Sequence, residues 1–342
     1  MEKINIYDLM LDDLRKILIS LKEMPYRRDQ LLSWLYKKNV VDFKGMKNIP
    51  KELTEKLEKR LFIGSLKIAE HVKSVDGTEK FLLKLSDGNF IETVLIPSGT
   101  RNTLCLSTQV GCKFSCPFCA SGKKGFLRNL TPGEIIAEVM AVKKISKDAI
   151  TNYVFMGMGE PLDNWENVLK AILIMNDPKA MAIGARRITV STCGIIPEIY
   201  DFTKLDLQVN LSISLHAADN SLRDKLVPLN KRYPLEKLIK ACENYINRTR
   251  RLITLEYVLI KGKNDSIKNI EDLVEIARRL RAKVNVIPYS DVSVLGFSAP
   301  SREDTKEFLK NLTNRGINAT LRESKGVDIS AACGQLAGKI KK

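Results

Sequence analysis

The chain is poor in histidine. Its 342 residues hold two, His71 and His216, so a metal centre built on imidazole is short of ligands. A second C-x2-C pair, of the kind that zinc ribbons use, is also missing. No run approaches the roughly 18 to 20 apolar residues of a membrane span, and no membrane partner is expected. The opening stretch, Met1-Glu2-Lys3-Ile4-Asn5-Ile6-Tyr7-Asp8, lacks the apolar core of a signal peptide. A cytoplasmic location is the expectation. Internal repeats, low-complexity segments and a disordered basic tail are absent as well. Acidic residues are outnumbered, 40 Asp and Glu against 56 Lys and Arg, for a formal charge of +16. With no basic tail, that charge belongs on a folded face. An excess of this size favours a polyanionic partner, most often nucleic acid.

What is present fits an α/β protein. The chain is 44% hydrophobic, enough for one large domain and a smaller one. Residues 1–62 read as short helices, with apolar residues at helical spacing over Asp8–Leu21, Asp29–Tyr36 and Pro50–Leu61. Residues 63–99 read as antiparallel strands, Ser65–Lys73, Phe81–Leu85 and Phe90–Ile96. Asp76-Gly77 and Asp87-Gly88 stand between them as turns. From residue 100 to 342 strands alternate with helices. Strands are expected near 103–108, 151–156, 187–192, 208–214, 252–259, 283–288 and 317–321. Thr131, Pro132 and Glu134 mark the start of the first helix by a capping box. Such alternation gives a parallel sheet with crossover helices. The count suits a partial (β/α)6 barrel, whose ligands sit at the carboxyl ends of the strands.

Seven cysteines, an odd number and mostly clustered, read as ligands and reactive thiols rather than a secreted disulfide framework. Cys112, Cys116 and Cys119 follow the first core strand at spacings of four and three. A short loop can aim three thiolates at one point. A [4Fe–4S] cube normally takes four cysteines, so a three-cysteine loop leaves one iron open to a small molecule. A structural zinc site with a fourth ligand from elsewhere is the other reading, and with it a zinc-stabilised RNA-binding protein without catalysis. After the second strand comes Met156-Gly157-Met158-Gly159-Glu160-Pro161. Its glycines allow close backbone approach, and its carboxylate suits an ammonium group. Ser191, Ser214 and His216 fall at the ends of the next two strands, where hydroxyls and an imidazole suit ribose and carboxylate contacts. His216 also reads as a hydrogen-bonded core residue. Cys333 lies among small residues in Ala331-Ala332-Cys333-Gly334-Gln335 and reads either as an accessible thiol or as a buried packing residue.

The spacing C-x3-C-x2-C with Phe118 before the last cysteine resembles the signature of the radical S-adenosylmethionine (SAM) superfamily. Gln109-Val110-Gly111-Cys112, Phe155 to Leu162, Ser214-Leu215-His216 and Ala331 to Leu336 together resemble the RlmN/Cfr family of RNA methyltransferases. The likeness runs from about residue 25 to residue 338. Pro161 after Glu160 points to the RlmN side, which methylates adenine C2; the Cfr side methylates C8 of the same ribosomal adenosine.

The resemblance implies a [4Fe–4S] cluster on Cys112, Cys116 and Cys119, and two SAM molecules per turnover. C2 of adenine is electrophilic with an unactivated C–H, so it cannot take a methyl group from SAM by simple displacement. The resemblance implies that Cys333 is methylated first, that a 5′-deoxyadenosyl radical removes hydrogen from that methyl group, and that the resulting methylene radical adds to C2. Cys105 then promotes C2–H removal and forms a transient disulfide with Cys333. Glu92 matches a proton acceptor, although a solvent-facing strand carboxylate is the plainer reading. Gly159, Glu160, Ser191, Ser214, Leu215 and His216 match SAM-binding positions. Ser290 stands where the family usually has Asn, and a hydroxyl lacks the amide's two-sided pairing. Cys193 and Cys242 match no role and read as packing residues. The implied partners are large-subunit (23S) ribosomal RNA, tRNA methylated just 3′ of the anticodon, and an electron donor such as flavodoxin or ferredoxin. The implied oligomeric state is a monomer, and the N-terminal helices are expected to contact RNA.

Overall fold

The computed structural model describes residues 3–290 and 296–337. Its centre is one ten-stranded sheet. In chain order the strands are β1 Lys67–Lys73, β2 Glu79–Lys84, β3 Phe90–Ser98, β4 Arg101–Cys105, β5 Asn152–Phe155, β6 Ile188–Thr192, β7 Asn210–Ser214, β8 Thr254–Leu259, β9 Lys283–Pro288 and β10 Ala319–Leu321. Each strand pairs with its neighbours in sequence. From β4 to β10 the pairing is parallel. From β1 to β4 it is antiparallel.

Helices make the crossovers that parallel pairing requires. They include Pro132–Ile145, Trp165–Asn176, Leu235–Thr249, Ile267–Leu280 and Arg302–Asn314. The capping box forms as the sequence indicates: Glu134 N–H donates to Thr131 Oγ1 at 3.2 Å, and Thr131 N–H to Glu134 Oε2 at 3.0 Å. The strand interiors are apolar. Leu104, Phe155, Val190, Leu211, Leu255 and Val284 are all at most 1% exposed.

The row of strands does not close into a barrel, since β1 and β10 are its two free edges. It curls, because residues of β3 and β4 share one cavity with residues of β9 and β10. The antiparallel strands read in residues 63–99 are hydrogen-bonded into this row. Val94 of β3 pairs with Cys105 of β4, so the sheet runs unbroken past residue 99.

The N-terminal helices Leu11–Ser20, Tyr26–Leu32 and Lys51–Arg60 pack around Leu14, Leu18, Leu31, Leu35, Leu53 and Leu57. They rest on the helix Pro132–Ile145. Asp8 accepts from Gly133 N–H at 2.6 Å, at that helix's first turn, where a carboxylate is favoured. Lys143 Nζ and Asn39 Nδ2 close the other end, on Tyr36 O at 2.9 Å and Met140 O at 3.2 Å. No helix among the described residues is long and apolar enough to cross a membrane.

Candidate active site

The three cysteines of the loop face one cavity at the carboxyl ends of the strands. Cys112, Cys116 and Cys119 line it together with Phe118, Gly159, Glu160, Ser191, Ser214, His216 and Cys333. The loop turns back through Cys119 N–H to Cys116 O at 3.0 Å. It is tied at its start by Cys112 N–H to Gly125 O, also 3.0 Å. Burial pushes the Cys112 thiol up to about 12, and negative charge on Cys119, Glu160 and Asp163 pushes the same way. Burial likewise raises Cys116 and Cys119, with further upward contributions from Cys119 and Cys112 on Cys116 and from Cys333 on Cys119. Three thiols so placed ionise only against a compensating positive centre.

That donor set fits an iron–sulfur cube with one open corner. Three cysteines of one short loop border a single, partly apolar cavity. Among the described residues no group of three or more His, Cys, Asp or Glu side chains is placed to hold a metal ion.

The opposite wall is built from strand ends. Gly159 has φ +98°, and a Cβ there would stand 2.6 Å from Cβ of Gln109, so only glycine lets the β5 loop reach the cysteine loop. Glu160 is 5% exposed. Its Oε2 accepts from Cys193 N–H at 2.8 Å and its Oε1 from Leu162 N–H at 3.1 Å. Burial raises its pKa, and these hydrogen bonds oppose the rise. Ser191 and Ser214 hydroxyls lie 3.2 Å apart. His216 has φ +58°, and its Nδ1 accepts from Val258 N–H at 3.1 Å, which leaves the ring proton on Nε2. Burial, then the Arg223 charge, lowers its pKa to about 3, so the imidazole is neutral. Phe118 meets it edge-on with centroids 5.0 Å apart.

Two expected SAM contacts are not in this lining. Leu215 is buried behind it and works through its backbone, N–H to Glu256 O at 3.0 Å and carbonyl from Arg223 Nε at 3.2 Å. Ser290 is buried but does not border the cavity. Cys193, expected as packing, does border it and holds Glu160. Cys242 is buried at 1% exposure.

A second cavity adjoins the first and contains Cys105 and Cys333, with Met156, Arg322, Ala331 and Ala332. Both thiols are free. Burial, with the Cys333 charge adding to it, raises Cys105 to about 12. Arg322 is a half-buried cation of this region. Its Nη1 lies 3.1 Å from Met156 Sδ and 3.9 Å from Glu256 Oε2. Charge on Cys333, first, and then on Glu256 and Cys105 raises its pKa against the effect of burial.

The loop carrying Cys333 is fastened on both sides. Before the cysteine, Ser74 Oγ donates to Asp328 at 2.6 Å, Gly326 N–H to Asp76 at 3.0 Å and Lys80 Nζ to Ser330 O at 3.2 Å. Burial alone would raise Asp76, but bonds from Gly326, Thr78 and Ser74 hold it down at about 2. After the cysteine, Ala337 N–H donates to Glu92 Oε2 at 2.7 Å, and Ala120 N–H to Gly334 O at 2.7 Å. Gly334, at φ +85°, passes so close that a Cβ would stand 3.2 Å from Phe118 O. Glu92 Oε1 in turn pairs with Lys80 Nζ at 3.2 Å. The two charges thus bridge the loop from Ser330 to Ala337. Glu92 is only 8% exposed, not a solvent-facing strand carboxylate.

Sequence reasoning missed Lys80, Asp76, Arg322 and Arg223. Arg223 is 1% exposed and donates to the carbonyls of Cys193 at 2.7 Å, Ser214 at 3.3 Å and Leu215. It gathers the ends of β6 and β7 behind the cavity. An arginine in a helix carries no local signal that it will be buried.

Two family models match the chain. That of the radical SAM superfamily covers residues 106–280, and that of the ribosomal RNA large subunit methyltransferase N-terminal domain covers residues 4–63. A probable dual-specificity RNA methyltransferase RlmN of Clostridium novyi (strain NT) is 43% identical over 333 residues, which is 97% of each chain. That of Geobacillus kaustophilus (strain HTA426) is 45% identical over 341 residues, 99% of this chain and 93% of the relative. The crystal structure of a radical SAM methyltransferase from Sphaerobacter thermophilus superposes with a TM-score of 0.94 at 44% identity. It covers 97% of this chain and 99% of its own.

Proposed function

The chain belongs to the RlmN-type dual-specificity RNA methyltransferases of the radical SAM superfamily, and from that premise we propose that it methylates C2 of adenosine. The substrates are an adenosine of large-subunit ribosomal RNA and the adenosine 3′ of the anticodon in tRNA. Membership implies a [4Fe–4S] cluster and SAM. Cys112, Cys116 and Cys119 would hold the cluster, and Gly159, Glu160, Ser191, Ser214 and His216 would border SAM, with Leu215 and Ser290 acting from behind the wall. When bound, cluster and SAM supply a 5′-deoxyadenosyl radical.

The observation that carries the reading is the position of Cys333, which borders both cavities. A methyl carrier must meet SAM on one side and the base on the other. With SAM bound, the Cys333 sulfur would take its methyl group by displacement, the demethylated thioether leaving, and the Arg322 cation would stand beside it to balance thiolate charge. After hydrogen abstraction the Cys333 methylene forms a carbon–carbon bond to C2. The radical adduct gives up its unpaired electron to the one-electron carrier; Cys105 promotes removal of the C2 proton, which restores the aromatic ring, and then attacks the Cys333 sulfur. An S–S bond forms, the S–CH2 bond breaks, and the released pair with a proton completes the new methyl group. The disulfide is reopened by two electrons. Glu92 acts as proton acceptor in this scheme while its carboxylate also secures Ala337. Neutral His216, which borders the cavity, would offer its Nε2–H as a donor.

A flavodoxin or ferredoxin supplies electrons to a monomeric, cytoplasmic enzyme. The test is nucleoside mass spectrometry on unmodified ribosomal RNA and unmodified tRNA, each treated anaerobically with reconstituted protein, SAM and a reductant. 2-Methyladenosine in both is the expected result. 8-Methyladenosine, or no methyladenosine from protein that still cleaves SAM, overturns the reading.

A further inference from the structure

The strands that end at the thiols begin at a row of cations. Arg101 opens β4, Arg186 and Arg187 stand directly before β6, Arg250 and Arg251 precede β8, and Lys283 opens β9. All six border one cavity at the amino ends of the strands, with Asn152 and Asn210 from the starts of β5 and β7 between them. Five are exposed and Arg251 is half-buried. Among the described residues none of the six takes part in an ion pair. Their side-chain partners are neutral: Arg186 donates to Gln208, and Arg251 Nη2 to Asn210 Oδ1 at 2.7 Å. The buried Nε of Arg251 has no hydrogen-bond partner. Glu256 is the carboxylate of this lining, and it is engaged by Asn285 at 3.1 Å and Arg322 at 3.9 Å. Like charges gathered at one opening without counter-charge repel one another, and a polyanion relieves that repulsion.

The opening leads inward. Met156, Arg322, Arg101, Thr103 and Asn285 border this cavity and also the one that holds Cys105 and Cys333. The amino-end mouth and the reactive thiols therefore share walls.

We propose that this arginine-lined mouth is the port through which RNA presents its target nucleotide, with Arg101, Arg186, Arg187, Arg250, Arg251 and Lys283 binding the phosphates that flank it. The proposal rests on the RNA methyltransferase reading above. A base modified on its edge must leave the stack. The extruded adenine enters toward Cys333, and its charged backbone stays at the rim, where guanidinium groups match phosphate geometry. The recognised element is an unpaired loop rather than a continuous duplex, since only an unstacked nucleotide reaches the lumen.

The test uses the full-length reconstituted protein. R186Q/R187Q and R250Q/R251Q are compared with K237Q/K240Q, which removes the same charge from the exposed side of the helix Leu235–Thr249. KM for RNA, RNA affinity as a function of salt and melting temperature are measured for each. Each rim pair should raise KM about tenfold. It should flatten the slope of log affinity against log salt by roughly 1 to 1.5, at about 0.7 per phosphate contact of a single strand. The helix pair should change KM less than about twofold, as expected for diffuse charge screened by salt. If the rim pairs keep the wild-type KM and salt slope, the port is wrong while the methyltransferase reading stands. If the wild type modifies no adenosine in any RNA, that reading fails and the port falls with it. Should a double variant melt early, the single variants R187Q and R250Q carry the same comparison.

Discussion

At the carboxyl ends of the strands the lining is thiol, imidazole, hydroxyl and buried carboxylate; at the amino ends of the same strands it is arginine and asparagine. The first end is dry. Glu160 and His216 are at most 7% exposed, and burial shifts both toward their neutral forms. The second end is open to solvent, with five of its six cations exposed. On the proposed function, the difference follows from what each end would handle. Radical and thiolate chemistry needs water excluded and few stray protons. A polyanion needs unpaired charge at the surface. Arg322 and Glu256 border both cavities and mark where one regime gives way to the other.

The largest effect belongs to the dry end. Cys333→Ala should abolish RNA methylation, and any remaining 2-methyladenosine by mass spectrometry would remove the carrier role. Cys105→Ala comes next. In the proposed scheme the adduct between Cys333 and RNA does not resolve without the second thiol, so a protein–RNA species should build up on denaturing gels. A variant that turns over freely would assign that step elsewhere.

A smaller effect is expected at the bridge that holds the loop. Lys80→Met removes one charge-assisted bond to Ser330 and the partner of Glu92. Such a bond is worth about 1.5 to 3 kcal/mol, so methylation of Cys333 should slow roughly tenfold. Lys80→Arg should recover part of the rate, with KM for SAM nearly unchanged. Equal rates in all three proteins would mean that the loop does not depend on this pair.

The smallest effect tests dryness through stability. Glu138 lies behind β4, accepting from Thr93 Oγ1 and from Ser107 N–H at 3.0 Å. Burial raises its pKa to about 8, against the pull of those two bonds. The folded state therefore holds a proton up to about pH 8, while the unfolded chain releases it near the ordinary value of 4.5. Folded protein binds more protons in that window, so stability falls as pH rises through it. Glu138→Gln should lose less in melting temperature between pH 5 and pH 8 than the wild type, by several degrees. Parallel curves would mean that Glu138 is solvated.

The parallel strands were legible in the sequence to within a few residues, because buried strands are short apolar runs set between turn and capping signals. The capping box at Thr131 and the turns at Gly77 and Gly88 were legible for the same local reason. The joining of β3 to β4 was not, since a hairpin's outer edge looks alike whether or not it meets another strand. The fastening of the Cys333 loop was hidden too. Asp76 reads as a turn residue, yet its carboxylate holds Gly326, 250 positions away. Lys80 and Glu92 read as ordinary strand charges, and only the fold brings Ser330 and Ala337 to them. Arg101, Arg187, Arg250 and Lys283 look scattered along the chain. The parallel register sets them around one opening.

One measurement bears most directly on Cys333 as the carrier between the two ends. Protein whose Cys333 carries an isotopically labelled methyl group is mixed with RNA, reductant and unlabelled SAM, and the first turnover is analysed by nucleoside mass spectrometry. The label should appear in 2-methyladenosine. Unlabelled 2-methyladenosine, with the label still on Cys333, would contradict the scheme.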